Sequence, residues 1–337
     1  MVFQVGKIPS EILKSIVFRN LGMANDRLLV GPGIGEDAAV VRFGNKALVL
    51  STDPITGTAS NVGWFSVHIN ANDVATFGAK PKWYLCSIML PKGSRKNVLR
   101  GIMKQIDSAC TELGVTVIGG HCEVTTFLKK PILVGFMLGE TRLNRYVTSG
   151  GASVGNVLML TKTVGIEGTA ILATDAENIL RKHLKKGVIR RAQNLYKKIS
   201  VVKEALMAME VGGVTAMHDP TEGGILCGIW ELSEASHLGV RIYQNRIPIS
   251  SETRSICKIL KIDPCRLVSS GSLLIAAKKS FAPKIIKELS GKRIPISVIG
   301  EFTKRKHGRK LLSIDESVIE LKPPFPDDVY NVCSKLR

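Results

Sequence analysis

Apolar and polar positions change period several times along the chain, and those changes mark out its elements. "AAVVRF" (38–43) and "KALVLST" (46–52) are short β-rich runs joined through "GNK", which predicts two strands of a hairpin. The stretch from Gly63 to Pro81 has helical length and a Gly–Pro stop, and "WYLCSIML" after it reads as a strand. Leu99, Ile102, Met103, Ile106, Cys110 and Leu113 recur at helical spacing between a capping Ser94 and Gly114. "VTVIGG" and "PILVGFMLGET" complete the first half as strands. The second half predicts strand "VLMLTKT", a turn at "GIEG", a long basic helical stretch and strand "GVTAMH". A turn at "DPTEGG" then leads into a helix through "ILCGIWELSEASHLG", and strands "SLLIAA" and "ISVIGEF" alternate with helix "FAPKIIKELSG". Residues 144–156, small and polar between two strong strands, form the best boundary. The pattern therefore predicts two α+β domains, residues 1–150 and 151–337.

Length and composition fit that division. A chain of 337 residues exceeds one ordinary core, and a hydrophobic fraction of 45% supports globular packing. No apolar run approaches the roughly 18 residues of a membrane span. The start "MVFQVGKIPSEILKS" lacks the basic, apolar and small-residue succession of a secretory leader. Seven cysteines with no C-x-x-C spacing predict reduced thiols in a cytoplasmic protein and disfavour zinc. The formal charge of +19 raises nucleic acid as a partner, and much of it sits in residues 181–198 and 304–310. Aromatic residues are only 5% of the chain and do not alternate with the cations, so no stacking platform is expected. The charge then implies attraction for phosphorylated small molecules.

Five stretches carry candidate chemistry. In "GPGIGEDAAVV" (31–41), Gly31, Gly33 and Gly35 allow consecutive N–H groups to curl around an anion, although neither common nucleotide fingerprint is matched. A tight turn with solvated acids explains the same residues. Asp53 in "STDP" ends a strand predicted as buried, or else caps a turn. Ser66, Asn70 and Asp73 stand at i, i+4 and i+7 on a largely apolar helix, a polar stripe whose charge would need a partner if buried. We read that stripe as part of a site. Asp37, Asp53 and Asp73 together would suit Mg²⁺, a hard cation usually found with phosphates. "VIGGHCEV" places His121 and Glu123 after a Gly119–Gly120 turn, as metal ligand or general base or as structural groups. "MHDPTEGG" offers Asp219 and Pro220 as cap and first residue of a helix, with Gly223 and Gly224 in a first turn open to an anion.

Taken in order, "GIGEDAAVV", "STDP", "NANDVATFGAKP", "VIGGHCEV", "MHDPTEGGI" and "SSGSLLIA" resemble the superfamily of aminoimidazole ribonucleotide (AIR) synthetase. That superfamily includes the hydrogenase-maturation factor HypE, thiamine-monophosphate kinase and selenophosphate synthetase. The motifs run from about residue 31 to residue 276, and the Asp-x-Thr-x-Gly-Gly turn is most like HypE. The resemblance implies a PurM-like α+β fold: an N-terminal domain whose sheet pairs with that of a second subunit into a β-barrel-like homodimer core, and a C-terminal α/β domain. It implies ATP in a cleft under the glycine-rich segment, with Mg²⁺ bridging to Asp37, Asp53 and Asp73. At matching positions Gly33, Gly35, Asn70, Gly119, Gly120, Thr221, Gly223 and Gly224 are expected to bind the nucleotide, and His121, Glu123 and Asp219 to serve catalysis. The shared chemistry is attack of an amide or carboxamide oxygen on the γ-phosphate, in which the protein mainly aligns groups and neutralises charge.

Some positions depart from the HypE pattern. HypE proteins usually end in Pro-Arg-Ile-Cys, whose cysteine carries a carbamoyl group; this sequence ends "NVCSKLR", with four residues after Cys333. His121 stands where several relatives have an acid, and the nucleophile pattern of selenophosphate synthetases is missing. The expectation is an ATP- and Mg²⁺-dependent, HypE-like enzyme without the usual tail, acting on a small-molecule or carbamoyl-type substrate that a partner protein could supply. Three alternatives stay open: a small-molecule kinase resembling thiamine-monophosphate kinase, a nucleotide-binding regulator without turnover, and a nucleic-acid binder using Lys185, Lys186, Arg190 and Arg191. No motif encodes the identity of the phosphate acceptor.

Overall fold

The computed structural model describes Phe3 and residues 6–56, 60–323 and 325–335. Met1, Val2, Gln4 and Val5, part of the start searched for a leader, and Leu336 and Arg337 of the tail lie outside the described residues. The chain gathers into a smaller unit, Asp26–Gly31 with Asp37–Tyr146, and a larger one, Met1–Asn25 with Pro32–Glu36 and Val147–Arg337. Among the described residues no helix is long and apolar enough to cross a membrane.

The chain opens on one helical turn, α1 (Ser10–Ile12), which widens into a π-turn over Leu13–Val17. The smaller unit then builds β1 (Leu28–Val30), β2 (Ala39–Phe43), β3 (Lys46–Ile55), α2 (Val62–Thr76), β4 (Lys80–Pro91), α3 (Lys96–Leu113), β5 (Thr116–Thr125) and β6 (Ile132–Arg142). Its sheet has the order β1-β2-β3-β6-β4-β5, and only β4 and β5 run parallel. Alternation along the strands decides the layering. Ala47, Val49, Ser51, Tyr84, Cys86, Ile88, Leu133 and Met137 are buried on the face that α2 covers. At Gly139 a Cβ would lie 2.3 Å from a Val74 methyl carbon and 2.7 Å from the Lys80 carbonyl oxygen, and at Gly135 one would lie 2.5 Å from the Asn70 amide nitrogen. These glycines let α2 sink onto the sheet, and every residue of the helix except Trp64 is buried. The alternate positions, among them Val41, Leu48, Leu50, Leu85, Val134, Phe136 and Leu138, form a second apolar face that is only half-buried.

Three local expectations change here. The Gly119–Gly120 "turn" is the middle of β5, which runs on through His121 and Glu123. A Cβ on Gly120, at φ +149°, would sit 2.1 Å from the Cys86 carbonyl oxygen, so the close approach of β4 explains that glycine. Asp53–Pro54 does not end a strand either, because β3 stays paired with β6 as far as Ile55. Pro54 is tolerated since β2 pairs no farther along β3 than Leu50. The N-cap of α3 is Arg95 rather than Ser94, whose hydroxyl donates back to the Pro91 carbonyl at 2.7 Å. The helix does end at Gly114, in the left-handed region.

In the larger unit β7 (Val157–Thr161), β8 (Val214–His218), β9 (Gly239–Tyr243), β10 (Leu274–Ala277), β11 (Ile296–Thr303), β12 (Arg309–Leu312) and β13 (Val318–Glu320) form a sheet in the order β13-β12-β9-β11-β7-β10-β8. Only β12 and β9 run parallel, so neighbouring strands mostly reverse direction and this unit is α+β rather than the expected α/β. Neither sheet closes on itself among the described residues; a barrel would need a second copy. Its helices are α4 (Ile166–Asp175), α5 (Glu177–Leu180), α6 (Lys186–Gln193), α7 (Val202–Val211), α8 (Gly224–Ala235), α9 (Ser251–Leu260), α10 (Ala282–Gly291) and α11 (Asp328–Lys335). The predicted "GIEG" turn in fact starts α4: Gly165 is its N-cap, and Gly168 packs where a Cβ would lie 2.4 Å from Leu267. Ile225, Ile229 and Leu232 of α8 pack on Leu158, Leu160, Val240 and Phe302 of the sheet, while Leu172, Ile189, Ile256 and Val329 join α4, α6, α9 and α11.

Gly139→Ala is expected to destabilise the protein by about 1–3 kcal/mol through overpacking between α2 and β4. Gly101→Ala in α3, where a Cβ meets nothing within 4 Å, is expected to stabilise it by about 0.5–1 kcal/mol. Urea titrations of the two variants give opposite shifts of the midpoint if α2 is seated as described.

Candidate active site

The smaller unit gathers the predicted acids at one end of β3. Asn70 accepts from the Asp53 backbone N–H through Oδ1 at 2.8 Å, and its Nδ2 donates to the Ser66 carbonyl at 2.8 Å and the Asp53 carbonyl at 3.4 Å. The side-chain amide thus takes the place of a neighbouring strand where β2 has ended. Ser51 donates its hydroxyl to Asp73 Oδ2 at 2.5 Å, and Ser66 shares a hydrogen bond with the Tyr84 hydroxyl at 2.5 Å. Burial pushes the Tyr84 phenol far above its ordinary range, so it stays a neutral partner. The stripe Ser66, Asn70 and Asp73 is therefore fully buried and bonded to strands, not to solvent. Asp53 stays half-buried at the strand end. Because Ala39 pairs with Leu50, Asp37 enters β2 alongside the same end of β3.

Asp37, Asp53 and Asp73 offer hard oxygen donors, the chemistry Mg²⁺ selects. Among the described residues no three or more His, Cys, Asp or Glu side chains form a ready metal cage. A hard cation bound there would have to draw its remaining ligands from phosphate oxygens and water rather than from protein.

His121 and Glu123 lie elsewhere. Their strand is separated from β3 by β6 and β4, roughly 14 Å at ordinary strand spacing. His121 pairs with Ser87 and so points to the second, half-buried face, opposite Asp53 and Asp73. Its Nε2 is 3.4 Å from Glu123 Oε2, with the two side chains 65% and 48% exposed. One chain does not bring this pair to the aspartates. Gly119 and Gly120 share the edge strand with them.

The larger unit holds the glycine-rich loop and the Asp-Pro-Thr turn. Glu36 N–H closes a turn on the Gly33 carbonyl at 3.3 Å, and Glu36 Oε2 accepts from the Ser149 N–H at 3.1 Å. Of the two adjacent acids, Glu36 thus ties a backbone turn. Gly35 (φ +81°) lies so close to α8 that a Cβ would sit 2.8 Å from the Glu231 carbonyl oxygen. After His218 the chain turns through a fully buried Asp219, and α8 starts only at Gly224, with Gly223 as its N-cap. Asp219 and Pro220 are therefore not the cap and first residue expected. Gly223 and Gly224 both have positive φ, and a Cβ on Gly224 would lie 2.5 Å from the Cys265 carbonyl oxygen. The Thr221 carbonyl accepts from the Gly224 N–H at 3.1 Å. The Gly223 N–H donates to Asp327 Oδ2 at 2.9 Å, while Tyr330 donates to Glu222, so the C-terminal segment holds the turn. Burial pushes the Asp327 carboxyl up to about 7 despite two backbone hydrogen bonds.

Sequence reasoning missed Ser51, Tyr84, Glu36, Glu231 and Asp327. Ser51 had a signal: it sits two positions before Asp53, on the same face of a period-two strand. The others become partners only through the tertiary fold.

Models of the AIR synthase related proteins match in tandem, the N-terminal domain over residues 35–141 and the C-terminal domain over residues 153–312. A protein of Methanocaldococcus jannaschii named for hydrogenase expression/formation is 28% identical, over 97% of each chain. A crystal structure of a HypE–HypF complex superposes with a TM-score of 0.77 at 22% identity, covering 93% of this chain and 99% of that one. The hydrogenase maturation protein HypE in complex with ATP gives 0.71 at 20% identity, covering 96% and 97%. At these identities the two structures establish the fold.

Asn70→Ala should leave the Asp53 N–H without its partner and destabilise the protein by about 1–3 kcal/mol. Chemical denaturation measures that loss, and hydrogen exchange should find the Asp53 amide among the most accelerated.

Proposed function

The chain belongs to the AIR synthase related proteins, and on that premise we propose that it is a HypE-like enzyme that uses ATP and Mg²⁺ to phosphorylate an amide- or carboxamide-type oxygen. The observation that carries the reading is the end of β3, where Asp53 and Asp73 are fixed from behind by Asn70 and Ser51 and Asp37 enters alongside. Bound Mg²⁺ supplies charge neutralisation at the phosphate oxygens. Asp37, Asp53 and Asp73 would hold that ion, and the backbone around Gly33 and Gly35 offers N–H groups suited to phosphate. In the larger unit Thr221 offers a hydroxyl for an anion, while Gly223 and Gly224 give the turn its shape, since their amides donate to Asp327 and to the Thr221 carbonyl. Asp219 lies at the acceptor. Transfer then forms one bond from the acceptor oxygen to the γ-phosphorus, breaks the bond to ADP, and leaves the chain's groups to align the two oxygens.

A homodimer belongs to the proposal. The face carrying Val41, Leu48, Leu50, Val134, Phe136 and Leu138 is nearly as apolar as the one α2 covers, and β5 is exposed along almost its whole length. A second copy covers that face and brings His121 and Glu123 into a site that one chain leaves them outside. The HypE–HypF structure, in which a relative assembles with a second protein, supports a protein partner, and the name carbamoyl dehydratase carried by the HypE of Escherichia coli supports a substrate of carbamoyl type. Seven cysteines with no C-x-x-C spacing fit a cytoplasmic setting.

One observation favours a second reading, a small-molecule kinase resembling thiamine-monophosphate kinase. Cys333 is half-buried on α11 and packs against the cluster of Leu172, Ile189 and Ile256, a poor placing for a cysteine carrier.

Calorimetry should show ATP binding that tightens at least about tenfold with Mg²⁺, and Asp53→Asn or Asp73→Asn should abolish the Mg²⁺ dependence. Mg²⁺-independent binding unchanged in both variants would end the proposal. Light scattering should give twice the 36.6 kDa chain mass, falling to one chain in Phe136→Glu.

A further inference from the structure

In the larger unit one carboxylate, on the second turn of α8, is used by none of the roles above. Glu231 Oε2 is 3.1 Å from His218 Nε2, and Lys7 Nζ is 3.1 Å from Glu231 Oε1. The His218 side chain is 2% exposed and that of Glu231 12%. The surroundings are built for this contact. A Cβ on Gly228, one turn before Glu231, would lie 2.7 Å from Pro220 Cβ and 3.2 Å from the His218 ring, so the missing side chain admits both residues. The backbone carbonyl of Glu231 is the atom against which Gly35 is seated. Three segments that are remote in sequence thus meet at one residue: the N-terminal stretch at Lys7, the glycine-rich loop at Gly35, and the strand end at His218 and Asp219.

Burial alone would raise the Glu231 carboxyl, but the Lys7 charge and the His218 hydrogen bond bring it down to about 2. A carboxylate held charged can only accept, so His218 donates from Nε2. The groups around the ring are Glu231 from α8, Lys7 beyond it, Asp219 next in the chain, and Cys227, whose thiol burial and then Glu231 push up to about 12.

We propose that Glu231 is a positioning residue: through Lys7 and His218 it locks the Asp219 turn to the N-terminal segment and keeps the His218 imidazole protonated on Nε2 beside Asp219. A turn locked in this way would align its groups for an anionic ligand of the phosphate class, and to that extent the inference rests on the reading of this turn as part of a nucleotide site. The relay itself rests on the geometry alone.

The test uses the full chain, wild type and with Glu231→Gln, Glu231→Asp or Lys7→Met. Long-range ¹H–¹⁵N spectra of the histidine rings, recorded against pH, read the His218 tautomer and titration directly. Glu231→Gln is expected to lower the His218 midpoint by about one pH unit or more and to mix its tautomers, because the ring loses its anion. Lys7→Met, a change at a 44% exposed side chain, is expected to move the midpoint upward by removing a like charge. Shifts of opposite sign support the relay; an unmoved midpoint in both variants overturns it. Turnover of Mg²⁺–ATP should fall about tenfold or more in Glu231→Gln, with KM for ATP little changed and partial recovery in Glu231→Asp. A wild-type chain that binds no ATP yet shows both midpoint shifts overturns the proposed function and leaves the relay standing. Should Glu231→Gln fail to fold, the upward shift in Lys7→Met decides alone.

Discussion

A helix buried on nearly every side needs partners within the fold for its polar groups, and the strands beneath it can supply them. α2 meets that condition three times, at Ser66 with Tyr84, Asn70 with Asp53, and Asp73 with Ser51. Each bond offsets a desolvation penalty that would otherwise run to a few kcal/mol, roughly 1–3 by mutational measures. The consequence reaches beyond stability. A network of this kind holds together only as a whole, so the end of β3 has one conformation, and Asp53 is aimed by its own backbone. The glycines at 135 and 139 are the other side of the same constraint, since they admit the helix closely enough for the bonds to form.

Much of this was legible in the sequence, and the reason is periodicity. Ser66, Asn70 and Asp73 repeat with the turn of a helix, and the apolar positions of α3 and of the strands repeat with their own periods. Such patterns are local, so a single chain displays them. The glycine pairs were read wrongly for the opposite reason. Gly119–Gly120 resembles a turn until the Cys86 carbonyl oxygen is placed beside it, and Gly223–Gly224 reads as part of a helix already begun at Asp219, whereas the helix begins with this pair and Cys265 and Asp327 pack behind it. In both cases the residue is dictated by an atom far away in sequence. Glu36 was equally opaque: beside Asp37 it reads as half of an acidic pair, yet its carboxylate caps the backbone at Ser149. The mixed direction of the second sheet also depends on strand order, which composition and spacing do not carry.

The charge distribution has the same two-level character. The surplus of cations that gives the formal +19 sits largely on surfaces such as residues 181–198, where Lys185, Lys186 and Arg190 are exposed. Farther in, several acids meet cations directly. Glu204 meets Lys162 at 2.7 Å, and Glu234 lies between Arg309 and Lys14. Buried carboxylates therefore organise the fold, while the outer field draws anions toward it.

The larger unit is assembled from three stretches of chain, 1–25, 32–36 and 147–337, with a complete smaller unit threaded between them. During synthesis the first twenty-five residues leave the ribosome long before any of the strands they will join. They must wait while the six-stranded sheet forms from the chain that follows. Long-range closure of this kind slows folding. A nascent chain halted before residue 147 would hold this opening segment with no unit to receive it. The early segment is in that sense a client of whatever shelters unfinished polypeptide in the cell.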